Sequence, residues 1–394
     1  MARKPIEVEG SARLPLGMPP ARFLRDYWQK RPLLVRGAFP GIRPPLTPDD
    51  LAGLACMDGA LARIVVQARN GKRWQVRTGP FEDNTFATLP AAHWTLLVQD
   101  VDKWDADTAA LLASFDFIPS WRIDDVMISY AVDGGGVGAH VDQYDVFLLQ
   151  GSGQRRWSID TRPNPSTALR EDVEWKLLRE FDPNHDWVLD PGDLLYLPPG
   201  VPHEGVAIGG CMTFSIGMRA PSKAELLVAL AEQVAGALPE SQRYADPDLR
   251  PANATGEIDD AALRRARDAL GPVAGMLDPK AFADFFGRFV TAYRGAGETV
   301  ARKRAVRPAA LDEALARSRF RRNPWSCYAW RRAKRGAVLY VSGAQYACPL
   351  AWARAMCGGD TADGARLAAL PSRREGVTVL AKLIDAGHLV WKRG

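Results

Sequence analysis

The stretch from residue 120 to residue 220 constrains the fold most, because its apolar residues recur with a period of two. Short runs such as DDVMISYAV, HVDQYDVFLLQ, QRRWSID, DLLYLP and GCMTFSIGMR are separated by DGGGVG, GSG, DPGD and PPGVP. Alternation is typical of strands with one buried face, and breaks rich in Gly and Pro are typical of tight connections. Many short strands at this spacing predict an antiparallel β-barrel or a jelly roll.

Helical patterns follow this β-rich stretch. SKAELLVALAEQVAGAL and PKAFADFFGRFVTAYR predict amphipathic helices within residues 221–300. After residue 305, the helical run PAALDEALARS precedes the strand-like AVLYVS, and the chain ends on a helix followed by a strand, an order that resembles a winged helix. We therefore predict a catalytic or binding domain over 1–220, a helical segment over 221–304 and a winged-helix-like domain over 305–394.

The composition is that of a globular protein rather than a membrane protein. Of the 394 residues, 47% are hydrophobic and 25% are charged. No apolar run reaches the roughly 18 residues of a membrane span, and the start MARKPIEVEG lacks the apolar region of a signal peptide. The five cysteines are scattered without a CxxC pair, which favours reduced thiols and hence the cytoplasm.

The charge is distributed unevenly along the chain. Residues 301–394 hold 19 Lys and Arg against 6 Asp and Glu, a net charge of +13, whereas the remainder carries −8. A basic domain of this kind either meets something anionic or presents a solvated basic surface.

A histidine and an aspartate two residues apart begin one of the predicted strands. Side chains at positions i and i+2 project from the same face of a strand, so His140 and Asp142 can point at one metal ion. His203 is the candidate for the third ligand, because it follows a turn stiffened by two prolines and opens another strand. His185 lies among turn-forming residues and is interpreted as structural. Two histidines and one carboxylate are the facial triad of non-haem Fe(II) sites, which leaves positions open for other ligands.

Paired arginines follow the same predicted strand. A 2-oxo acid that chelates iron through its keto and carboxylate oxygens needs a cation for its far carboxylate, and arginine supplies a planar pair of donors. Arg155 and Arg156 must face opposite sides of a strand, so only one can point inward; periodicity alone does not say which.

Three segments of the chain together resemble the JmjC-type bacterial ribosomal oxygenases. They are GGGVGAHVDQYDVFLLQGSGQRRWSI, GDLLYLPPGVPHEG and FSIGMRAPS. The resemblance implies a mainly β fold, the double-stranded β-helix of the JmjC and cupin proteins, followed by a helical dimerisation segment and a C-terminal winged helix. It also implies an enzyme that uses Fe(II), 2-oxoglutarate and O₂ to hydroxylate the β-carbon of an arginine in large-subunit ribosomal protein L-sixteen.

The resemblance assigns roles to individual residues. His140, Asp142 and His203 would bind the iron, Arg155 would hold the far carboxylate of 2-oxoglutarate, and Ser129 would supply a hydroxyl to the same pocket. Asp133 and Asp145, near the metal motif, are candidates for contact with the guanidinium of the substrate.

We further expect a homodimer through residues 221–300 and contact between the basic domain and ribosomal RNA. The apolar residues predicted at the dimer interface are Leu226, Leu227, Leu230, Phe282, Phe285, Phe286 and Phe289.

Other functions use some of the same residues. A ribosomal-protein histidine hydroxylase or a lysine demethylase would share the iron chemistry but differ in its target. A zinc hydrolase or a metal-binding cupin without enzymatic activity would use the three ligands but leave Arg155 without a role. A nucleic-acid-binding regulator would explain the basic domain but none of the motifs between residues 129 and 215.

Overall fold

The computed structural model divides the chain into two compact units, Met1–Ala220 and Pro221–Gly394. The described residues are 5–68, 74–173, 175–247, 249, 258–275, 278–292, 299–358 and 361–393. Within these ranges, every helix is too short or too polar to traverse a bilayer.

The first unit is built around one large, mostly antiparallel sheet. Its strands are β1 (Glu7–Glu9), β2 (Leu33–Arg36), β3 (Ala62–Gln67), β4 (Trp74–Thr78), β5 (Trp94–Val98), β6 (Ile123–Ala131), β7 (His140–Val141), β8 (Val146–Ile159), β9 (His185–Leu189), β10 (Leu194–Leu197) and β11 (Pro202–Met218). Its helices are α1 (Pro20–Asp26), α2 (Pro48–Ala55), α3 (Val101–Trp104) and α4 (Ala106–Ala110), with 3₁₀ turns at Asp83–Thr88, Leu111–Phe115 and Ser120–Arg122.

The strand order is β1-β2-β10-β8-β11-β6-β5-β3-β4, with β7 paired to β11 and β9 paired to β8. The pairs of neighbours in this order are antiparallel except β1 with β2. The prediction of a jelly-roll sheet is therefore confirmed, and β8 and β11 are its two long central strands.

The predicted break at GSG is wrong, because β8 continues from Val146 to Ile159 without a turn. A Cβ on Gly151 would lie 2.1 Å from the Phe214 ring, and Gly153 has φ +60, so both positions suit glycine. The register of β11 against β8 shifts opposite this point, between Ile208 and Met212. The glycines thus form an irregularity within the strand, and they do not end it.

Alternate residues of β8 enter two different hydrophobic clusters. Phe147 and Leu149 pack in the larger cluster with Phe23 of α1, whereas Val146 and Leu148 pack in a smaller cluster with other residues of the sheet. Trp157 and Ile159, beyond the irregularity, belong to the smaller cluster as well. The sheet therefore has one face covered by the N-terminal helices and a second face that encloses the candidate site.

The second unit combines helices with two small sheets. Its helices are α5 (Lys223–Ala237), α6 (Asp260–Asp268), α7 (Gly271–Gly275), α8 (Pro279–Thr291), α9 (Pro308–Ala314), α10 (Leu350–Cys357), α11 (Gly364–Ala368) and α12 (Arg373–Asp385), with a 3₁₀ turn at Leu315–Arg317. Its strands are β12 (Ser318–Arg322), β13 (Tyr328–Arg332), β14 (Ala337–Val341), β15 (Ala344–Cys348), β16 (Thr361–Asp363) and β17 (Leu389–Arg393).

The two sheets of this unit are ordered β16-β12-β17 and β13-β14-β15. Helix α8 lies against the second of them, where Asp284 accepts hydrogen bonds from Arg331 at 2.6 Å and from Tyr340 at 2.9 Å. The predicted combination of helices and short strands after residue 305 is confirmed, and α8 from the helical segment packs in the same unit.

Candidate metal centre

His140 and His203 lie directly opposite each other in the antiparallel pair formed by β7 and β11. Opposed residues of such a pair point to the same face of the sheet, and the side chain two positions on points there too. Asp142 therefore joins the two imidazoles, with its Oδ2 3.7 Å from His203 Nε2. The ligand atoms of the three residues all lie within 4.8 Å of one another, and they form the one such group of His, Cys, Asp or Glu among the described residues.

Backbone carbonyls determine which nitrogen of each imidazole faces the centre. The Nδ1 of His140 lies 2.9 Å from the carbonyl of Gly138, and the Nδ1 of His203 lies 2.9 Å from the carbonyl of Val201. A carbonyl can only accept, so each Nδ1 carries the proton and each Nε2 keeps its lone pair for a metal ion.

Burial shifts the pKa values of two members of the centre in opposite directions. His203 is 2% exposed, and burial lowers the pKa of its imidazole to about 3, with a further decrease from the neighbouring His140. Burial raises the pKa of Asp142, whereas His140 and a hydrogen bond from Tyr144 lower it. The His203 imidazole is thus neutral beside a carboxyl group taken out of water, and a bound cation would stabilise the ionised form of that group.

The glycine-rich loop before His140 packs tightly on β11. Gly134 donates its N–H to the carbonyl of Ala207 at 3.0 Å, and Ala207 donates back to Gly135 at 2.9 Å. A Cβ on Gly136 would lie 2.6 Å from the carbonyl oxygen of Gly205. The sequence DGGGVG therefore allows the loop to run close to the strand that carries His203, which fixes the start of β7 against it.

Arg155 lies on the same face of the sheet as the three candidate ligands, and its side chain is only 5% exposed. Its Nη1 contacts the Ser129 hydroxyl at 3.4 Å, the upper limit for a hydrogen bond, and its guanidinium lies 5.9 Å from the centre of the Trp157 ring. Among the described residues, neither its Nε nor its Nη2 has a hydrogen-bond partner. Trp157 lies in turn 6.0 Å from the His203 ring, so this indole is a neighbour of both the buried cation and a candidate metal ligand.

Arg156 points the other way. Its side chain is 57% exposed and pairs with Asp186 at 3.8 Å. The structure thus settles the question that the alternation left open, and it is Arg155 that points inward.

Two buried polar residues beside Arg155 carried no role in the sequence prediction. Thr213 lies opposite both Ser129 and Gln150 in the sheet, and its hydroxyl donates to Gln150 Oε1 at 3.0 Å. Gln150 is fully buried and donates through Nε2 to the carbonyl of Ser152 at 2.9 Å. The glutamine at the end of the apolar run VFLLQ is the sequence signal from which this buried polar contact could have been predicted.

The prediction for Asp145 as a substrate contact is wrong, because this carboxylate is fully buried within the protein's own hydrogen bonds. It accepts from Tyr196 at 2.6 Å, from Gln29 at 2.9 Å and from Arg122 at 3.4 Å. No oxygen of Asp145 is available to a ligand from outside.

Asp133 lies in a different environment, exposed in the loop before His140. Its Oδ1 accepts from the backbone N–H of Gly209 at 2.9 Å, which fixes the carboxylate beside β11. His185, interpreted from sequence as a turn residue, begins β9 instead, where its ring stacks on Trp187 and contacts the Thr161 hydroxyl at 3.1 Å.

Comparison with known proteins places both compact units among characterised sequences and structures. A JmjC domain matches residues 110–226, and a ROXA-like winged helix matches residues 274–390. The ribosomal protein uL16 3-hydroxylase of Escherichia coli (strain K12) is 39% identical over 275 residues, which are 69% of this chain and 71% of that protein.

Solved structures extend the similarity over nearly the whole chain. The crystal structure of the Escherichia coli ribosomal oxygenase YcfD superposes with a TM-score of 0.79 at 32% identity, covering 96% of this chain and 99% of that one. The structure of the same protein in complex with cobalt and 2-oxoglutarate gives a TM-score of 0.79 at 31% identity with the same coverage.

Loss of either histidine of the centre is expected to abolish metal binding. His140→Ala or His203→Ala removes one of three protein ligands and should weaken the affinity for Co(II) or Fe(II) by more than about a hundredfold, beyond the cost of losing an outer partner. The measurement is anaerobic calorimetric titration with the metal. His185→Ala is the matched control and should bind like the unsubstituted protein; undiminished binding by His140→Ala would refute the ligand assignment.

Proposed function

Since this chain belongs to the family of JmjC-type bacterial ribosomal oxygenases, we propose that it hydroxylates the β-carbon of an arginine in ribosomal protein uL16, the large-subunit protein L-sixteen. The reaction consumes 2-oxoglutarate and O₂ and releases succinate and CO₂. Fe(II) would be held by His140, Asp142 and His203, whose ligand atoms lie within 4.8 Å of one another.

The observation that carries this proposal is a buried guanidinium with unsatisfied donors on the same face as the metal ligands. The Nε and Nη2 of this buried arginine lack partners among the described residues. Such a group lowers the stability of the folded protein unless an anion accepts its hydrogen bonds. A carboxylate fits those donors in geometry and charge. A cupin that only bound metal would have no use for Arg155, whereas 2-oxoglutarate has one carboxylate for the metal and another for this arginine.

Bound iron and 2-oxoglutarate supply the oxidising chemistry, and the chain supplies binding, orientation and exclusion of water. The carbonyls of Gly138 and Val201 hold each imidazole with its lone pair toward the iron. Arg155 and the Ser129 hydroxyl would hold the far carboxylate of 2-oxoglutarate, with the Trp157 ring 5.9 Å from the guanidinium. A ligand set of two histidines and one carboxylate would leave coordination positions open for 2-oxoglutarate and O₂.

For the substrate side chain, the exposed carboxylate of Asp133 is the proposed contact. A guanidinium can pair with its Oδ2, since Gly209 engages only Oδ1. The cytoplasm, where ribosomal proteins are made and assembled, is the proposed location.

Arg155→Ala should weaken the binding of 2-oxoglutarate to the Co(II)-loaded protein by at least about thirtyfold, because loss of a buried charge partner costs about 2–5 kcal/mol. Metal affinity should stay unchanged. Arg156→Ala, its exposed neighbour, should change 2-oxoglutarate affinity by less than about fivefold. Calorimetric titration of both variants with 2-oxoglutarate measures the two affinities. A larger loss of affinity in Arg156→Ala than in Arg155→Ala would assign the co-substrate to Arg156.

Incubation of the purified protein with uL16, Fe(II), 2-oxoglutarate and O₂ should add the mass of one oxygen atom to a single arginine. Tandem mass spectrometry locates the modified residue, and His140→Ala should leave uL16 unmodified. Oxygen found on a histidine would identify a histidine hydroxylase, and loss of methyl groups from lysine would identify a demethylase. Turnover of 2-oxoglutarate with no change in uL16 would place the target elsewhere.

We also propose that two copies associate through the helical segment of residues 221–300. Of the residues predicted at the interface, Leu230 and Phe285 are buried within one chain, whereas Leu227 is 65% exposed and Phe282 38% exposed. Other apolar side chains of the segment are exposed as well, among them Val228, Leu249, Ile258, Leu263 and Leu270. So many exposed apolar residues in one segment favour burial against a second copy.

Leu227→Asp should convert the dimer into a monomer, because it places a charge on the most exposed apolar position of α5. Light scattering at micromolar concentration measures the mass. Leu14→Asp, at an exposed leucine of the first unit, should remain dimeric. A monomeric unsubstituted protein, or a dimeric Leu227→Asp, would argue against this interface.

A further inference from the structure

The sheet β16-β12-β17 of the second unit has one apolar and one basic face. Phe320 of β12 is 1% exposed and packs in the core of the unit with Leu311 and Leu315. Its neighbours Arg319 and Arg321 alternate to the opposite face, where both are exposed. The Cα atoms of these two arginines are therefore roughly 6.6 Å apart, since each residue advances a strand by about 3.3 Å.

The neighbouring strand adds a third cation at a fixed position. Lys392 of β17 lies directly opposite Arg319, and it is exposed. Like charges opposite each other destabilise a sheet, so this pair is unfavourable for folding unless an anion lies between or above it. We call Arg319, Arg321 and Lys392 the basic strand face.

One acidic residue offsets this face only in part. Asp363 of β16 lies opposite Arg319 on the other side, with its Oδ2 3.8 Å from Arg319 Nη1, and both side chains are more than 40% exposed. The same carboxylate caps α11 by accepting from the Ala365 N–H at 2.9 Å. Within the described ranges, Arg321 and Lys392 have no ion pair, so the face keeps an excess of positive charge.

We propose that the basic strand face binds the phosphate backbone of RNA. The choice of RNA as the polyanion rests on the proposed function, because a ribosomal protein substrate is assembled on RNA. Rows of cations on rigid strands match a chain of phosphates, and they read charge rather than sequence because phosphate contacts carry no base information. The apolar neighbour on this face is Val390, which offers no ring on which a base could stack.

The hairpin between β13 and β14 provides a control of equal charge. Arg332, Lys334 and Arg335 are exposed there, at the turn that ends with Gly336. If the affinity came only from the overall net charge, neutralising this hairpin would weaken RNA binding as much as neutralising the basic strand face. If the strands position the phosphates, the two variants will differ.

The experiment measures binding of the full-length protein to fluorescein-labelled polyuridylate by anisotropy over a series of salt concentrations. Arg319→Gln, Arg321→Gln and Lys392→Gln are combined in one variant, and Arg332→Gln, Lys334→Gln and Arg335→Gln in the other. The first variant should lower the steepness of log affinity against log salt by about 2, because each phosphate contact on a single strand contributes about 0.7. The hairpin variant should change it by less than about 0.7.

Asp363→Asn tests the same surface in the opposite direction. Asparagine also caps helices, so α11 keeps its cap while Arg319 loses its acidic partner. RNA affinity should rise about threefold or more at low salt, as expected when one cation is released to a phosphate. Thermal unfolding of each variant checks that the unit remains folded.

The outcomes separate this proposal from the proposed function. Hydroxylation of a short uL16 peptide should be the same in both charge variants, and an inactive unsubstituted protein that still binds RNA would contradict only the proposed function. Equal losses from the two variants, no RNA binding by the unsubstituted protein, or preference for phosphatidylglycerol vesicles over polyuridylate would each overturn the RNA assignment.

Discussion

The pairing of β7 with β11 is the constraint on which the candidate site depends. It is only two residues long, yet it sets His140 opposite His203. A shift of one residue would turn one imidazole to the other face of the sheet and destroy the ligand set. The register is held from both sides, by the hydrogen bonds of the glycine-rich loop to Ala207 and by the donation of Gly200 to the carbonyl of Asp142 at 2.8 Å. The glycine and proline motifs are therefore needed to hold the three candidate ligands in position.

A second constraint is the irregularity in β8, which connects the metal ligands to Arg155. Before Gly151 the odd-numbered residues face the N-terminal helices, and after Gly153 the odd-numbered residues face the smaller cluster. Without that change of face, Arg155 and Trp157 would point away from Ser129 and His203. One local break in regular pairing thus allows a single strand to serve the large hydrophobic core at one end and the buried cation at the other.

The structure brings the three predicted ligands together, and the sequence could anticipate this grouping from local patterns. The spacing of His140 and Asp142 needs only the geometry of a strand, and the rigid turn before His203 marks where another strand begins. The spacing could not show whether Arg155 or Arg156 points inward, because alternation fits either choice. Only the burial of each side chain in the folded protein distinguishes them. The prediction for Asp145 was wrong because its partners Gln29 and Tyr196 are distant in sequence. The turn predicted at GSG was wrong because Gly151 allows a close approach to Phe214 within a continuous strand.

The uneven charge along the chain suits the two proposed contacts, one with a basic protein substrate and one with RNA. A basic protein bound to RNA presents cations and phosphates close together, and a surface of one sign would attract one of them and repel the other. Residues 1–300 carry the net negative charge and contain the exposed Asp133, whereas residues 301–394 carry +13 and contain the basic strand face. Separating the two signs along the chain lets each contact be favourable by itself. It also makes the two contacts respond differently to salt, because the proposed pair with Asp133 is a single charge contact, whereas RNA bound to three cations releases several counterions.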